Sequence, residues 1–227
     1  MLNVPVKSFP IPSIQRLPVY LRFLEELHKR GETLVSCTQI ADEFGQLSVQ
    51  VRKDLSITGI TGRPKIGYNV AELIDTINKF LGWDKTLNAF LIGAGNLGNA
   101  ILGYERFAEH GLNIVAAFDS DPQKIGQKFH GKPVYDFGEI AERGKDAGIK
   151  IGILTVPPPA AQVSADALIF IGVQAIWNYT PVKLDLPPEV IYEDVKFSAS
   201  FAVLSSRLKS STASAILPPQ DIMNPNL

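Results

Sequence analysis

Cysteine and histidine are scarce in this chain, which has one cysteine, Cys37, and three histidines. A single cysteine cannot form an internal disulfide, and the scattered Cys and His residues have no spacing typical of a zinc site, so we expect no bound metal. The sequence also lacks an apolar run long enough to cross a membrane and an N-terminal segment with the pattern of a secretory leader. We therefore expect a soluble, cytoplasmic protein.

Neither sign of charge is in strong excess: 22 Lys and Arg stand against 23 Asp and Glu, with a formal net charge of -1. An average over two domains can hide a basic region. Between residues 46 and 68, the four basic side chains Arg52, Lys53, Arg63 and Lys65 are accompanied by one acidic residue, Asp54. This excess indicates a surface suited to nucleic acid, although a solvated basic face has the same pattern.

The first part of the chain has the apolar spacing of short helices followed by a turn-rich segment. We predict an irregular arm over residues 1–12, a helix from about Leu17 to Gly31 in a segment that Ser13 can cap, a helix over 39–44 capped by Thr38, a helix over 49–56 capped by Ser48, a hairpin or wing ending at 67–70, and a helix over 71–81. Three helices and a wing are typical of a winged helix-turn-helix module. In the third helix, Val51 and Leu55 should face inward while Gln50, Arg52 and Lys53 stay exposed.

From residue 87 onward, short apolar strands alternate with helices, which predicts an α/β fold with a doubly wound parallel sheet of the Rossmann type. We predict strands at 88–92, 113–118 and 151–156, helices from Leu97 and over about 136–148, further segments at 167–172, 175–178 and 189–193, and a last helix over 198–209. The predicted domains are a winged helix over 1–82, a Rossmann domain over 83–196, a C-terminal helix over 197–209 and a disordered tail over 210–227.

The strongest single motif is the glycine pattern Gly93-Ala94-Gly95-Asn96-Leu97-Gly98, which follows a buried strand and opens a helix. In that context the first glycine allows a tight turn, the second lets the backbone approach a pyrophosphate, and the third lets the helix pack on the strand. The next strand ends about twenty residues later at Asp119, whose carboxylate suits ribose hydroxyls and would repel a 2'-phosphate. The pattern predicts NAD rather than NADP, against the alternative of a glycine-rich turn that binds nothing.

A second candidate segment, Thr155-Val156-Pro157, follows another strand end, where such sheets bind their ligands; a plain loop is equally compatible. No catalytic group is indicated. His28, His110 and His130 lie in a helix or in polar connections, and too few residues follow the glycine motif for a substrate domain. We therefore predict a protein that binds NAD(H) without turning it over.

Several motifs together resemble the Rex family of redox-sensing repressors over about residues 10–209. They are Arg16-Leu17-Pro18-Val19-Tyr20, Val51-Arg52-Lys53-Asp54-Leu55-Ser56, Gly67-Tyr68-Asn69-Val70, the glycine motif, Phe118-Asp119-Ser120-Asp121-Pro122 with Lys124-Ile125-Gly126, and Asn178-Tyr179-Thr180-Pro181-Val182. The resemblance implies a homodimer that binds a pseudo-palindromic operator, leaves it when NADH binds, and swaps its last helix into the partner subunit. It adds Ser120, Lys124, Asn178 and Tyr179 to the expected cofactor site, and it implies that Phe197 lies near the nicotinamide bound by the partner subunit.

The resemblance also implies a switch in which Arg16 and Tyr104 take part. Where the family usually has an aspartate that pairs with the arginine at the position of Arg16, this chain has Lys196, which would replace attraction by repulsion. The wing departs as well, with Thr58-Gly59 and Thr61-Gly62 in place of aromatic-glycine pairs and Lys65 at a usual glycine position. These departures leave open a divergent paralogue that responds to another metabolite.

For the DNA-bound state we expect Arg52 and Lys53 to contact base edges or phosphates, with Ser48 and Gln50 at the leading end of their helix and Arg63 and Lys65 on the flanking backbone. Two other classes remain open. One is a CoA- or nucleotide-binding subunit similar to the succinyl-CoA synthetase type, although its phosphohistidine loop has no counterpart here. The other is a minimal NAD-dependent oxidoreductase, which would need a proton donor such as Tyr104 or Tyr179 near the nicotinamide.

Overall fold

The structure is a computed structural model that describes residues 9–214, with side chains up to residue 210. The chain divides into two compact units. The first contains the residues up to Leu87 together with Glu105–Asn113, and the second contains Asn88–Tyr104 and the residues from Ile114 onward. Within the described residues, no helix is both long and apolar enough to cross a membrane.

The first unit is built from helices around one apolar core. Its elements are α1 (Ile11–Lys29), β1 (Leu34–Val35), α2 (Cys37–Phe44), α3 (Ser48–Ser56), β2 (Tyr68–Asn69) and α4 (Val70–Leu81). The buried residues of α1 recur three or four positions apart, so one face of the helix packs against the other three helices. Val51 and Leu55 of α3 join this core, as predicted, and leave Arg52 and Lys53 exposed.

Helix α1 begins at Ile11, six residues before the position that we predicted from Pro18. Pro12 lies in the first turn, where a missing N–H costs nothing because no helical acceptor exists for it. Pro18 removes one internal hydrogen bond, but buried side chains before and after it hold the helix together. Ser13 is therefore a buried helical residue and not a cap.

Two further predicted caps are wrong. Helix α2 is capped by Ser36, whose side chain accepts a hydrogen bond from the Gln39 N–H while the Gln39 side chain accepts one from the Ser36 N–H. This Ser-x-x-Gln capping box is visible in the sequence and is a better signal than Thr38. Ser48 is the first residue of α3, and Leu47 before it provides no side-chain cap.

The predicted wing is a tight turn. Arg63 and Gly67 form an isolated antiparallel bridge, and Lys65 between them has a φ of 63°, which is unusual for a residue with a side chain. The chain then enters β2, which pairs antiparallel with β1. The wing therefore stands at the end of a two-stranded sheet.

The second unit contains a seven-stranded sheet with helices. Its elements are β3 (Leu87–Ile92), α5 (Asn96–Leu102), β4 (Leu112–Asp119), β5 (Lys128–Phe129), β6 (Lys132–Asp136), α7 (Ile140–Gly144), β7 (Ile151–Leu154), α8 (Ala161–Phe170), β8 (Ala175–Asn178), β9 (Ile191–Asp194) and α9 (Phe197–Ser214). The first residue of β3 and the first two residues of β4 fall in the first unit, and so does the short helix α6 (Arg106–Glu109). The strand order is β5-β6-β4-β3-β7-β8-β9. Strand β6 pairs parallel with β4, and β7, β8 and β9 continue the parallel side beyond β3. This is the Rossmann order with one short antiparallel strand added, as the α/β prediction requires.

Several elements differ from the prediction. The hairpin β5–β6 was not predicted because β5 has only two residues and is separated from β6 by only two more. The segment 167–172 is mainly the end of α8, since Leu168 continues the row of buried residues Ala161, Ser164 and Ala165 at helical spacing. The predicted helix over 136–148 is a 3-10 turn and the short α7. Helix α9 continues past residue 209 to Ser214 because no glycine or proline interrupts it; the rest of the predicted disordered tail lies outside the described residues.

Candidate functional site

Helix α3 carries the basic face of the first unit. Arg52 and Lys53 are exposed on it, whereas Ser48 and Gln50 are half-buried near its beginning. The buried Val51 and Leu55 fix the rotation of the helix about its axis. The structure therefore presents all four predicted residues on one short helix whose inner face is locked in the core.

Asp54, on the same helix, is the centre of a polar network that sequence reasoning did not predict. Its side chain is fully buried and accepts two hydrogen bonds from Arg16 of α1, Nε to Oδ2 at 2.6 Å and Nη2 to Oδ1 at 2.7 Å. The Tyr20 hydroxyl lies 2.8 Å from Oδ2, and the Gln50 amide nitrogen lies 2.9 Å from Oδ1. Three of these four contacts, those from Arg16 and Tyr20, join α1 to α3, and the fourth lies within α3.

The network keeps Asp54 ionised. Burial by itself would raise the pKa of Asp54, but the hydrogen bonds that it accepts, first among them that from Arg16, hold the pKa below its ordinary value. The pKa of Arg16 is raised by the same pair. Burial and the neighbouring carboxylate also raise the pKa of Tyr20, so the hydroxyl stays protonated and can donate. Arg16, which the Rex resemblance assigns to a switch, is already paired within the first unit.

The wing turn brings two more basic residues to this unit. Arg63 and Lys65 are exposed and line a cavity of about 650 Å³ together with Arg52. Cys37 also lines this cavity, but its thiol is buried 4.0 Å from the Tyr68 hydroxyl. Arg52 of α3 and the two basic residues of the wing therefore border one concave surface, whereas Lys53 does not line it.

In the second unit, the glycine loop has the backbone geometry that a pyrophosphate needs. Gly93 has a φ of 97°, and a Cβ there would lie 2.8 Å from the Thr155 carbonyl oxygen. A Cβ on Gly98 would lie 2.0 Å from the Gly93 carbonyl oxygen, so only glycine fits this helix turn against the loop. A Cβ on Gly95 would meet nothing within 4 Å, which leaves open space where a ligand can approach the backbone.

Asp119 stands beside this loop at the end of β4. Its Oδ2 accepts hydrogen bonds from the Ala94 N–H at 2.8 Å and from Lys124 Nζ at 3.0 Å, and its Oδ1 accepts one from the Asp121 N–H at 2.9 Å. Burial alone would raise the pKa of Asp119, but these hydrogen bonds hold it below its ordinary value. The structure thus ties the acidic residue directly to the glycine loop.

A cavity of about 440 Å³ joins the predicted residues of this site. Its lining includes Gly93, Gly95, Asp119, Ser120, Lys124, Thr155, Val156 and Pro157. The Thr155 hydroxyl lies 2.7 Å from the Gly93 carbonyl oxygen and connects the two strand ends. Ala94 is buried, while Asn96 and Leu97 are exposed at the start of α5. The glycine loop, the acidic residue and the second strand end therefore form one cleft.

The remaining predicted cofactor residues lie around the end of β8. Asn178 is fully buried; its side-chain oxygen accepts a hydrogen bond from the Thr180 N–H at 3.0 Å, and its side-chain nitrogen donates one to Asp194 Oδ1 at 2.8 Å. Its polar atoms are used within the protein, which makes it a residue that positions the following loop. Tyr179 is half-buried, and burial raises its pKa to about 12. Its ring centroid lies 6.1 Å from that of Phe197, which is exposed.

Tyr179 and Phe197 line a third cavity, of about 680 Å³, together with Lys196. Lys196 is exposed, and its Nζ lies 3.9 Å from Oδ2 of Asp194. Sequence reasoning singled out Lys196 but missed Asp194, although both stand at the end of one strand. Tyr104, the third predicted switch residue, is half-exposed after α5.

Two family models match separate parts of the chain. A model described as a putative DNA-binding protein N-terminus matches residues 8–56, and a CoA binding domain model matches residues 84–182. The two matched ranges contain α3 and the glycine loop, respectively.

Curated relatives match almost the whole chain. A redox-sensing transcriptional repressor Rex from Treponema denticola is 47% identical over 193 residues, which cover 85% of this chain and 92% of the relative. The Rex protein of Bacteroides thetaiotaomicron is 39% identical over 206 residues, with 91% and 94% covered.

Solved structures agree with these relatives. RSP, a Rex-family repressor, in complex with β-NAD+ and operator DNA has a TM-score of 0.85 and 38% identity, with 92% of this chain and 97% of that chain covered. RSP in complex with β-NADH has a TM-score of 0.82 over 94% of this chain and 100% of that chain, also at 38% identity. The α/β fold and the family that the motifs predicted are confirmed: the chain belongs to the Rex family of redox-sensing transcriptional repressors.

Proposed function

We propose that this protein is a transcriptional repressor that binds operator DNA and is released when NADH occupies its Rossmann site. The observation that carries the proposal is that one chain contains both the basic helix α3, whose inner face packs in the core, and a glycine loop that is hydrogen-bonded to Asp119. The names of its relatives and the ligands of RSP support it. The proposed role is regulation and not turnover, and a DNA partner implies a cytoplasmic location.

On the DNA side, Arg52 and Lys53 would contact base edges or phosphates in the major groove, with Ser48 and Gln50 at the beginning of the same helix. Arg63 and Lys65 of the wing turn would hold the flanking phosphates. A two-fold symmetric dimer would read a pseudo-palindromic operator, because each subunit supplies one recognition helix.

On the cofactor side, the residues present fit a dinucleotide. The open space at Gly95 suits a pyrophosphate, and the ionised Asp119 with Lys124 suits ribose hydroxyls. Thr155 to Pro157 and Tyr179 extend the site along the ends of the neighbouring strands β7 and β8, and the resemblance places Phe197 near the nicotinamide bound by the partner subunit. When bound, the nicotinamide supplies the redox state that distinguishes NADH from NAD+; the protein's part is to hold the two forms with different affinity in its two conformations.

The C-terminal helix supports a homodimer. In α9, the apolar side chains Phe197, Phe201, Leu204 and Leu208 are all more than half exposed and recur at three- or four-residue spacing. An apolar stripe of this kind is expected to be covered by another surface. The Rex resemblance predicts that a partner subunit receives this helix, and we adopt that arrangement for the dimer.

The proposal can be tested by selecting an operator from an inverted-repeat library with cofactor-free protein. Its affinity for that operator is then measured with saturating NAD+ and with saturating NADH at one salt concentration, because salt alone changes affinity strongly. We expect NADH, but not NAD+, to weaken binding more than about tenfold, which requires only about 1.4 kcal/mol of differential binding. Equal operator affinity with the two forms would overturn the proposal.

A CoA-binding role is a second candidate, favoured by the family model that matches residues 84–182. The same cavity could accept the nucleotide part of CoA. Thermal unfolding with each ligand separates the two roles: protection by CoA without protection by NADH would favour this candidate, and the reverse result would exclude it.

A further inference from the structure

The side-chain amide of Gln50 is held in one orientation at the surface of α3. Its nitrogen lies 2.9 Å from Oδ1 of Asp54, one helical turn further along. Asp54 is ionised and has no proton to donate, so the nitrogen of the amide, and not its oxygen, must face it. Within the described residues, no hydrogen bond reaches the Gln50 side-chain oxygen.

The carboxylate of Asp54, which orients the Gln50 amide, is itself held in place. Arg16 contacts both of its oxygens with two nitrogen atoms, and the Tyr20 hydroxyl lies 2.8 Å from one of them. A two-point contact with a planar guanidinium fixes the plane of a carboxylate. Val51 and Leu55 anchor the same helix in the core. Arg16 and Asp54 therefore act as positioning residues for Gln50, through the Asp54 carboxylate.

Because Asp54 holds the amide nitrogen, the carbonyl oxygen of Gln50 is the group left to contact a base, and this restricts which bases Gln50 can read. In the major groove, exocyclic amino groups are presented by adenine at N6 and by cytosine at N4, whereas guanine and thymine present acceptors at the corresponding positions. We propose that Gln50 is a specificity-determining residue that accepts a hydrogen bond from the amino group of an adenine or a cytosine in each half-site. This inference rests on the proposed DNA-binding function and specifies one contact of it.

The first test compares the operators that full-length wild-type protein and the Gln50→Met variant select from a randomised inverted-repeat library. Methionine retains the length of the side chain but removes both the acceptor and the donor. We expect one position per half-site, adenine or cytosine in the wild-type selection, to become degenerate with Gln50→Met, while the other positions are unchanged. The exposed Gln15 of α1 provides a matched control, since Gln15→Met should select the wild-type operator.

The second test removes the amino group from the DNA. An operator in which the identified base is replaced by its deamino analogue, purine for adenine or 2-pyrimidinone for cytosine, should bind wild-type protein about tenfold more weakly. The Gln50→Met variant should bind the two operators equally. A purely structural role of Gln50 would lower its affinity for every operator alike and would leave the base preference unchanged.

The outcomes separate this inference from the function on which it rests. Unchanged base preference in Gln50→Met, or an equal loss for both proteins on the deamino operator, would overturn the role of Gln50 and leave NADH-dependent release intact. A wild-type protein that selects no operator would overturn both. The Asp54→Asn variant, provided that its circular dichroism shows it folded, should broaden the preference at the same position because an amide at 54 can face Gln50 in either orientation.

Discussion

The two sites of this protein are held together in different ways. The cofactor cleft is made mainly of backbone: Gly93, Gly95 and Gly98 lie within six residues, and side chains such as Asp119 bind to main-chain N–H groups. The DNA-binding surface depends on side chains, because Arg16 and Asp54, 38 positions apart, orient the helix that carries the basic residues. A site made of backbone should fail when a Cβ is added, and a site made of side chains should fail when a buried charge is removed.

The largest effect is expected from removing the buried charge of the DNA-binding unit. Asp54→Ala would remove the carboxylate that pairs with Arg16, and breaking a buried ion pair typically costs about 3–5 kcal/mol. Urea unfolding monitored by circular dichroism measures the loss. The control is Asp75→Ala, which removes an ion pair between Asp75 and Lys79 within one helix, both largely exposed, and should have a much smaller effect. Equal losses in the two variants would contradict the comparison.

The difference between the sites also explains which features the sequence could predict. The glycine motif encodes the backbone geometry of the loop within six residues. Asp119 follows at the end of the next apolar strand, and the alternation of strands and helices predicts the Rossmann-type sheet, so these features can be predicted from the sequence pattern alone. The Asp54 network joins residues from two helices, and no local sequence pattern predicts that Arg16 forms an ion pair with Asp54. The hairpin β5–β6 and the capping by Ser36 were missed for other reasons, a short element in one case and an overlooked motif in the other.

The next largest effects are expected in the glycine motif, where substitutions of Gly98 and Gly95 should have different consequences. Gly98→Ala places a Cβ 2.0 Å from the Gly93 carbonyl oxygen and should destabilise the protein by about 2 kcal/mol or more, with loss of cofactor binding. Gly95→Ala meets open space at a φ of -77° and should leave the free energy of unfolding within about 1 kcal/mol of wild type. Its NADH affinity should nevertheless fall more than about tenfold, because the Cβ occupies the space for the pyrophosphate.

Thermal unfolding and an NADH titration monitored by fluorescence test both variants. Gly95→Ala also serves as a control for the repressor assay, since it should bind the operator and ignore NADH. Normal NADH affinity in Gly95→Ala would show that the cofactor does not approach this part of the loop.

A smaller effect is expected at Asp119, where side chain and backbone meet. Asp119→Asn removes the negative charge that Lys124 and two backbone N–H groups contact, and should lower the free energy of unfolding by about 1–2 kcal/mol at pH 7. Because the pKa of Asp119 is lowered on folding, its contribution is complete above the unfolded pKa of about 3.9 and is lost as the pH falls through the lower folded pKa. Unfolding free energies measured from pH 7 down to pH 3 should therefore converge for wild type and variant. A difference in unfolding free energy between wild type and variant that grows toward low pH would contradict a stabilising role of the ionised Asp119.

The smallest effect is expected at Lys196, the departure from the family pattern. Its exposed contact with Asp194 at 3.9 Å contributes at most about 0.5–1 kcal/mol, so Lys196→Asp should change the unfolding free energy little. If position 196 approaches Arg16 in the DNA-bound dimer, as the resemblance implies, the aspartate would replace repulsion by attraction and tighten operator binding without cofactor. The gain should be only about two- to fivefold, because Asp54 already compensates the charge of Arg16.

Operator affinity measured at low and at high salt tests this prediction, with Lys183→Asp as the control, since Lys183 lines the same cavity. Tighter binding by Lys196→Asp alone would place residue 196 in the switch, whereas weaker binding by both variants would mean that these lysines act only through general attraction to DNA. A gain much larger than fivefold would show that Arg16 leaves Asp54 in the DNA-bound state, and the buried network would then be a moving part and not a fixed support of α3.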